Sequence, residues 1–150
     1  MTTWLLVADS VRGRVFQADS PTGPIAEIIT LAHPEGRLHE QALTSDLPGR
    51  TFDRGGQGRH VMEDRISAKE QDNIRFAMRI ADYLESMRAE RKFARLIIVA
   101  PPHFLGILSD KLSDATQKLV SMRVDKNLAQ KTAKEIRNHL PEQLWGTPPG

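Results

Sequence analysis

Cysteine is absent from the 150 residues, which excludes a disulfide framework, thiol catalysis and any cysteine-ligated metal. Aromatic side chains make up only 5% of the chain, with 2 Trp and 1 Tyr. That is too few for a surface that holds single-stranded nucleic acid by stacking on successive bases. A charge excess is missing too. Lys+Arg 21 against Asp+Glu 19 leave a net +2, a weak balance for a general polyanion binder. No apolar run approaches the ~18 residues that a membrane span needs. The stretch Met1 to Ser10 has no basic n-region and its apolar run breaks at Asp9, so no secretory signal is expected. The expectation is a cytoplasmic protein with no membrane partner and no cofactor.

What is present describes an ordinary globular chain, 39% hydrophobic and 27% charged, of a length that suits one domain with a real core. Trp4-Leu5-Leu6-Val7-Ala8 reads as a buried strand, and Arg14 to Ala18 alternates as a second strand should. After the turn signal Pro21-Thr22-Gly23-Pro24, Ile25 to Leu31 reads as a third. Ser67 to Lys92 is the strongest helix. Ser67 is placed to cap it, Glu70 to complete a capping box, and Ile74, Phe76, Ala77, Met78, Ile80, Ala81, Tyr83, Leu84 and Met87 make a broad apolar face. Leu96 to Ala100 has the unbroken apolar composition of a central strand. Pro101-Pro102 ends it and opens a helix carrying Phe104, Leu105, Ile107, Leu108 and Leu112. Leu119 to Val124 reads as a fifth strand, and Leu128 to Leu140 as a last amphipathic helix. The fold class expected is α/β: a single domain over 1–140 with one mixed β-sheet flanked by helices, followed by a flexible tail over 141–150.

Between Ala32 and Ser67 no sustained apolar pattern appears, although Arg37 to Leu43 can form a helical turn. Loops this long inside compact domains are usually functional or disordered. This one, over 45–66, contains Arg54-Gly55-Gly56-Gln57-Gly58-Arg59-His60. Two glycines let backbone enter a crowded site and adopt positive φ. A glutamine can hydrogen-bond water and carbonyl without bringing charge. Arg50, Arg54, Arg59, His60 and Arg65 surround the tripeptide, opposed by Asp53, Glu63 and Asp64.

Gly-Gly-Gln is the signature of proteins that hydrolyse the ester linking a nascent peptide to tRNA. The order of parts, with three strands, a loop holding that tripeptide, a long helix, a buried strand and a helix, resembles the middle domain of the eukaryotic and archaeal class 1 release factors. That likeness implies a ribonuclease H-like, translational-machinery fold. The chain also resembles the bacterial family of proteins required for attachment to host cells. The likeness rests on Trp4-Leu5-Leu6-Val7-Ala8-Asp9, Gly13-Arg14-Val15-Phe16, Asp46-Leu47-Pro48-Gly49-Arg50-Thr51-Phe52-Asp53, Gly58-Arg59-His60, Phe76-Ala77 and Leu96 to Pro102 before Leu105-Gly106. It implies a ribosome- or tRNA-associated role. Gly55, Gly56 and Gln57 would then be catalytic: the Gln57 backbone N–H would steady the developing oxyanion while its side chain places or excludes water. Arg50, Arg54, Arg59 and His60 would meet tRNA phosphates. The sequence departs from release factors after Gln57, where Gly58-Arg59-His60-Val61 replaces a basic-aromatic run. Nor is a codon-reading domain expected within these 150 residues.

Other readings stay open at this point. The arginines can pair with Asp53, Glu63 and Asp64 in a solvated loop, and the protein can be a non-enzymatic, partner-binding regulator indirectly required for attachment. Asp9 with Asp53, Glu63 or Asp64 could imitate the carboxylate cluster of a metal-dependent nuclease, although an aspartate at a strand end more often shapes a turn. His60 and His103 are candidate phosphate contacts or acid-base groups, with a structural role favoured for each. His33 and His39 lack the spacing of a zinc site, so no metal is expected. Trp4 and Phe16 read as core.

Overall fold

The computed structural model describes residues 1–33 and 67–146. Its elements follow in the order β1 (Thr3–Ala8), β2 (Arg12–Ala18), β3 (Ile25–Ala32), α1 (Ala68–Ala89), β4 (Arg95–Val99), α2 (Pro102–Lys111), α3 (Asp114–Leu119), β5 (Val120–Val124) and α4 (Ala133–Asn138). The five strands form one sheet in the order β3-β2-β1-β4-β5. β1 pairs antiparallel with β2 and β2 with β3, whereas β1–β4 and β4–β5 are parallel. This is the mixed, helix-flanked α/β sheet expected from the sequence.

Both faces of the sheet are covered, which explains the apolar runs in β1 and β4. Side chains alternate across a strand. Trp4, Leu6 and Ala8 therefore point with Leu96 and Ile98 toward Phe76, Ile80 and Leu84 of α1 and Phe104 and Leu108 of α2. Leu5, Val7, Ile97 and Val99 point the other way, onto Leu128, Ile136, Leu140 and Leu144. Trp4 and Phe16 are both core, at 5% and 0% exposed. Trp4 stacks on Phe93 at 5.1 Å and on Tyr83 at 6.4 Å.

Local chemistry sets the helix boundaries. Ser67 Oγ accepts the Glu70 N–H at 3.1 Å and starts α1. The Glu70 carboxylate does not complete the expected capping box, because it turns outward to His103. Pro102 opens α2 as the first helical residue, where its missing N–H costs nothing.

Three stretches differ from the sequence expectation. The helix expected over Leu128 to Leu140 covers only Ala133–Asn138. Leu128 and Ala129 are buried, at 3% and 0% exposed, but in a turn closed by the Lys131 N–H to Leu128 carbonyl bond. The helix starts where Thr132 and Glu135 form a reciprocal capping box, and buried apolar residues ahead of that point merely continue its spacing. α3 was not anticipated: six residues with Thr116 alone buried carry no periodic signal. Of the expected flexible tail 141–150, residues 141–146 are docked. Leu144 is 1% exposed and donates its N–H to the Pro21 carbonyl at 2.8 Å. Arg95 lies over the Trp145 ring at 4.7 Å, and residues 147–150 lie outside the described residues.

Candidate functional site

β1, β3 and β4 run in the same direction, because β3 is antiparallel to β2 and β2 to β1. Their carboxyl ends therefore share one edge of the sheet, the edge at which open α/β sheets hold their ligands.

Asp9 leaves β1 at this edge and is 8% exposed. Its Oδ1 accepts the N–H groups of Val11 at 2.8 Å and Arg12 at 2.9 Å, and its Oδ2 lies 3.4 Å from Arg12 Nη1. The carboxylate thus folds back on the turn that joins β1 to β2. The partners weighed for a metal cluster, Asp53, Glu63 and Asp64, lie outside the described residues. Among the described residues no group of three His, Asp or Glu could hold a metal ion.

His33 follows β3 and is 5% exposed. Its N–H donates to the Val11 carbonyl at 2.9 Å. Its Nδ1 contacts the Ser10 carbonyl; a carbonyl only accepts, so Nδ1 carries the proton. The ring stacks on Phe76 with centroids 4.6 Å apart and planes 8° from parallel. The end of β3 is thereby fastened to both the β1–β2 turn and α1. Arg79 adds a second fastening, with Nη1 2.6 Å from the Ala32 carbonyl and its guanidinium 6.0 Å from the Phe76 ring centroid.

The start of α1 lies at the same edge. Ser67 caps the helix, and Phe76 lies only about 13 Å along its axis, at about 1.5 Å per residue. Glu70 in the first turn of α1 meets His103 in the first turn of α2, with His103 Nε2 2.9 and 3.1 Å from the two carboxylate oxygens. His103 thus ties two helix starts together, the structural role favoured for it, although its side chain is 71% exposed. His33 and Ser67, the described residues on either side of 34–66, accordingly lie at one edge, each held by packed neighbours.

The residues chosen from sequence as the working set, Gly55, Gly56, Gln57, Arg50, Arg54, Arg59 and His60, lie outside the described residues, as do His39 and the helical turn expected over 37–43. What sequence reasoning missed lies among the described residues of this edge. Asn73 is the clearest case: it is 7% exposed, and its Oδ1 has no hydrogen-bond partner among the described residues. The signal was available, because Asn73 falls on the same helical stripe as Phe76, Ala77, Ile80 and Leu84, where a polar side chain is out of place. The pairing of Glu70 with His103 had no local signal, since the two residues are far apart in the chain.

A family profile described as protein required for attachment to host cells matches residues 4–140. The chain belongs to that family. The match runs from β1 through α4 and takes in both the sheet edge and segment 34–66. Among curated proteins, none matches this host-attachment chain. Among the described residues, no helix is long and apolar enough to cross a membrane.

Proposed function

We propose that this member of the host-attachment family is a ribosome- or tRNA-associated factor whose working element is segment 45–66. The observation that carries the proposal is that the two described residues flanking the stretch that contains it, 34–66, lie at one edge of the sheet. His33, stacked on Phe76, and Ser67, capping α1, sit at the carboxyl edge of the parallel strands. Functional segments are usually carried between held residues of a rigid scaffold, and His33 and Ser67 are two such residues. The order β1-β2-β3, then 34–66, then α1-β4-α2 supports kinship with the release-factor middle domain and its ribonuclease H-like type.

In this reading Arg50, Arg54, Arg59 and His60 contact phosphates of an RNA acceptor end. Gly55 and Gly56 allow close backbone approach. Gln57 supplies a neutral amide that places water against an ester carbonyl, while its backbone N–H stabilises the oxyanion.

Two measurements test the two halves. Cosedimentation with ribosomes should weaken with salt, and neutralising Arg50, Arg54 and Arg59 together should flatten the log–log salt slope by about 2 to 3. Gln57→Ala should abolish release of peptide from peptidyl-tRNA while leaving cosedimentation unchanged. Salt-insensitive binding to a protein partner would instead establish a non-enzymatic regulator, and undiminished release by Gln57→Ala would remove the residue from the chemistry.

A further inference from the structure

β3 is an outer strand of the sheet. At Ile25–Ala32 it has 8 residues, longer than the usual 5 to 6 or so. One of its sides is bonded to β2; among the described residues no strand lies on the other. The His33 N–H donates to the Val11 carbonyl, and the register pairs Ala32 with Arg12 and Thr30 with Arg14. Antiparallel strands bond at alternate residues, so Thr30 and Ala32 turn their backbone groups away from β2. Arg79 takes the outward carbonyl of Ala32, in keeping with this alternation. Among the described residues, no other donor or acceptor outside β2 bonds to the strand's backbone.

Natural edge strands are guarded by lysine, arginine, proline or brevity. The opposite outer strand, β5, follows that rule, being 5 residues long and carrying exposed Arg123. β3 does not. It has no Lys, Arg or Pro, and its one ionisable side chain, Glu27, is bound by Arg14 of its own chain at 2.9 Å. The register shift between Val15 and Phe16 leaves Ile28 as the extra residue. At 45% exposed, Ile28 is among the few large apolar side chains open to solvent. Ala26, Thr30 and Ala32 beside it are exposed as well.

We infer that β3 pairs antiparallel with β3 of a second copy across a two-fold axis, joining the two sheets edge to edge. Three features select an identical strand as the occupant. A two-fold contact is isologous, so each open N–H of one copy faces an open C=O of the other. Glu27 is neutralised within its own chain, so two identical strands bring no unpaired like charges together. Closure also uses both β3 edges at once and leaves outermost only the short, arginine-bearing β5 strands.

Sedimentation equilibrium of the full chain over a concentration series tests this, with Ile28→Lys and Thr30→Pro as variants. Ile28→Lys installs the missing guard at an exposed position. Thr30→Pro removes an outward N–H without touching a bond to β2. The wild type should form dimers, and each variant should weaken them at least about tenfold with its circular dichroism unchanged. Hydrogen exchange at the Thr30 amide should slow as wild-type concentration rises. A wild type monomeric throughout the series would overturn the inference, and so would a dimer whose dissociation constant Ile28→Lys leaves unchanged.

Discussion

Arg91 is the one non-glycine residue with positive φ among the described residues, at φ 60. It sits just past the end of α1, where its N–H donates to the Arg88 carbonyl at 2.9 Å and the Lys92 N–H donates to the Met87 carbonyl at 2.9 Å. These two bonds make a Schellman motif with an arginine in the place usually taken by glycine. The left-handed conformation costs an L-residue about 1–2 kcal/mol. Glycine escapes that cost but loses about 0.5–1 kcal/mol more backbone entropy on folding. Arginine also contributes a favourable charge at the helix carboxyl end, which any neutral replacement forfeits, so the informative comparison is between Arg91→Gly and Arg91→Ala. Both lose the charge, and only glycine relieves the backbone. Arg91→Gly should be the more stable by about 0.5–1 kcal/mol, equivalent to about 1–4 °C in Tm for a chain of this length. Urea denaturation and calorimetry on the two variants measure it directly. If Arg91→Gly unfolds no later than Arg91→Ala, the backbone at Arg91 stores no strain and the reasoning is wrong.

Two further outcomes follow from packing and charge. A Cβ added at Gly13 would lie 3.0 Å from Cδ1 of the fully buried Ile80; crowding of about 1–3 kcal/mol, offset by about 0.4–1 kcal/mol from the less flexible unfolded chain, should leave Gly13→Ala destabilised by up to about 2 kcal/mol. Combining it with Ile80→Val, which deletes that methyl, should recover part of the loss in a double-mutant cycle, whereas strict additivity would show that the two sites do not touch. Glu85 accepts hydrogen bonds from Arg88, Ser113 and Thr116, and these hold its carboxyl below the ordinary 4.5, at about 2. Because the folded value is depressed, the stabilisation is complete above about pH 4.5 and is lost as pH falls toward 2. Glu85→Gln should therefore flatten the acid limb of the stability curve in that window, and an unchanged acid limb would count against the network.

The capped helix and the apolar strands were legible because their signals are local. Ser67 bonds the Glu70 N–H as its position suggested, and the run Leu96 to Val99 is fully buried. Leu128 to Leu140 misled for a related reason: burial on a turn and burial on a helix leave similar apolar spacing, and only the Thr132 cap separates them. The base of the candidate site was harder to read. His33 looked like a loop histidine, yet it is buried on Phe76, a contact that forms only when β3 and α1 pack together. Asn73 is legible as a polar residue on an apolar stripe.

By itself the chain determined that there would be a sheet with helices on it and where the main helix begins. Those outcomes depend on periodicity, turn residues and caps, whose energetics act over a few residues. The tertiary structure alone decided the strand order β3-β2-β1-β4-β5, the shared edge for His33 and Ser67, and the union of Glu70 with His103. Such juxtapositions depend on contacts between distant residues, whose loop-closure cost and packing gain leave no periodic trace in the sequence.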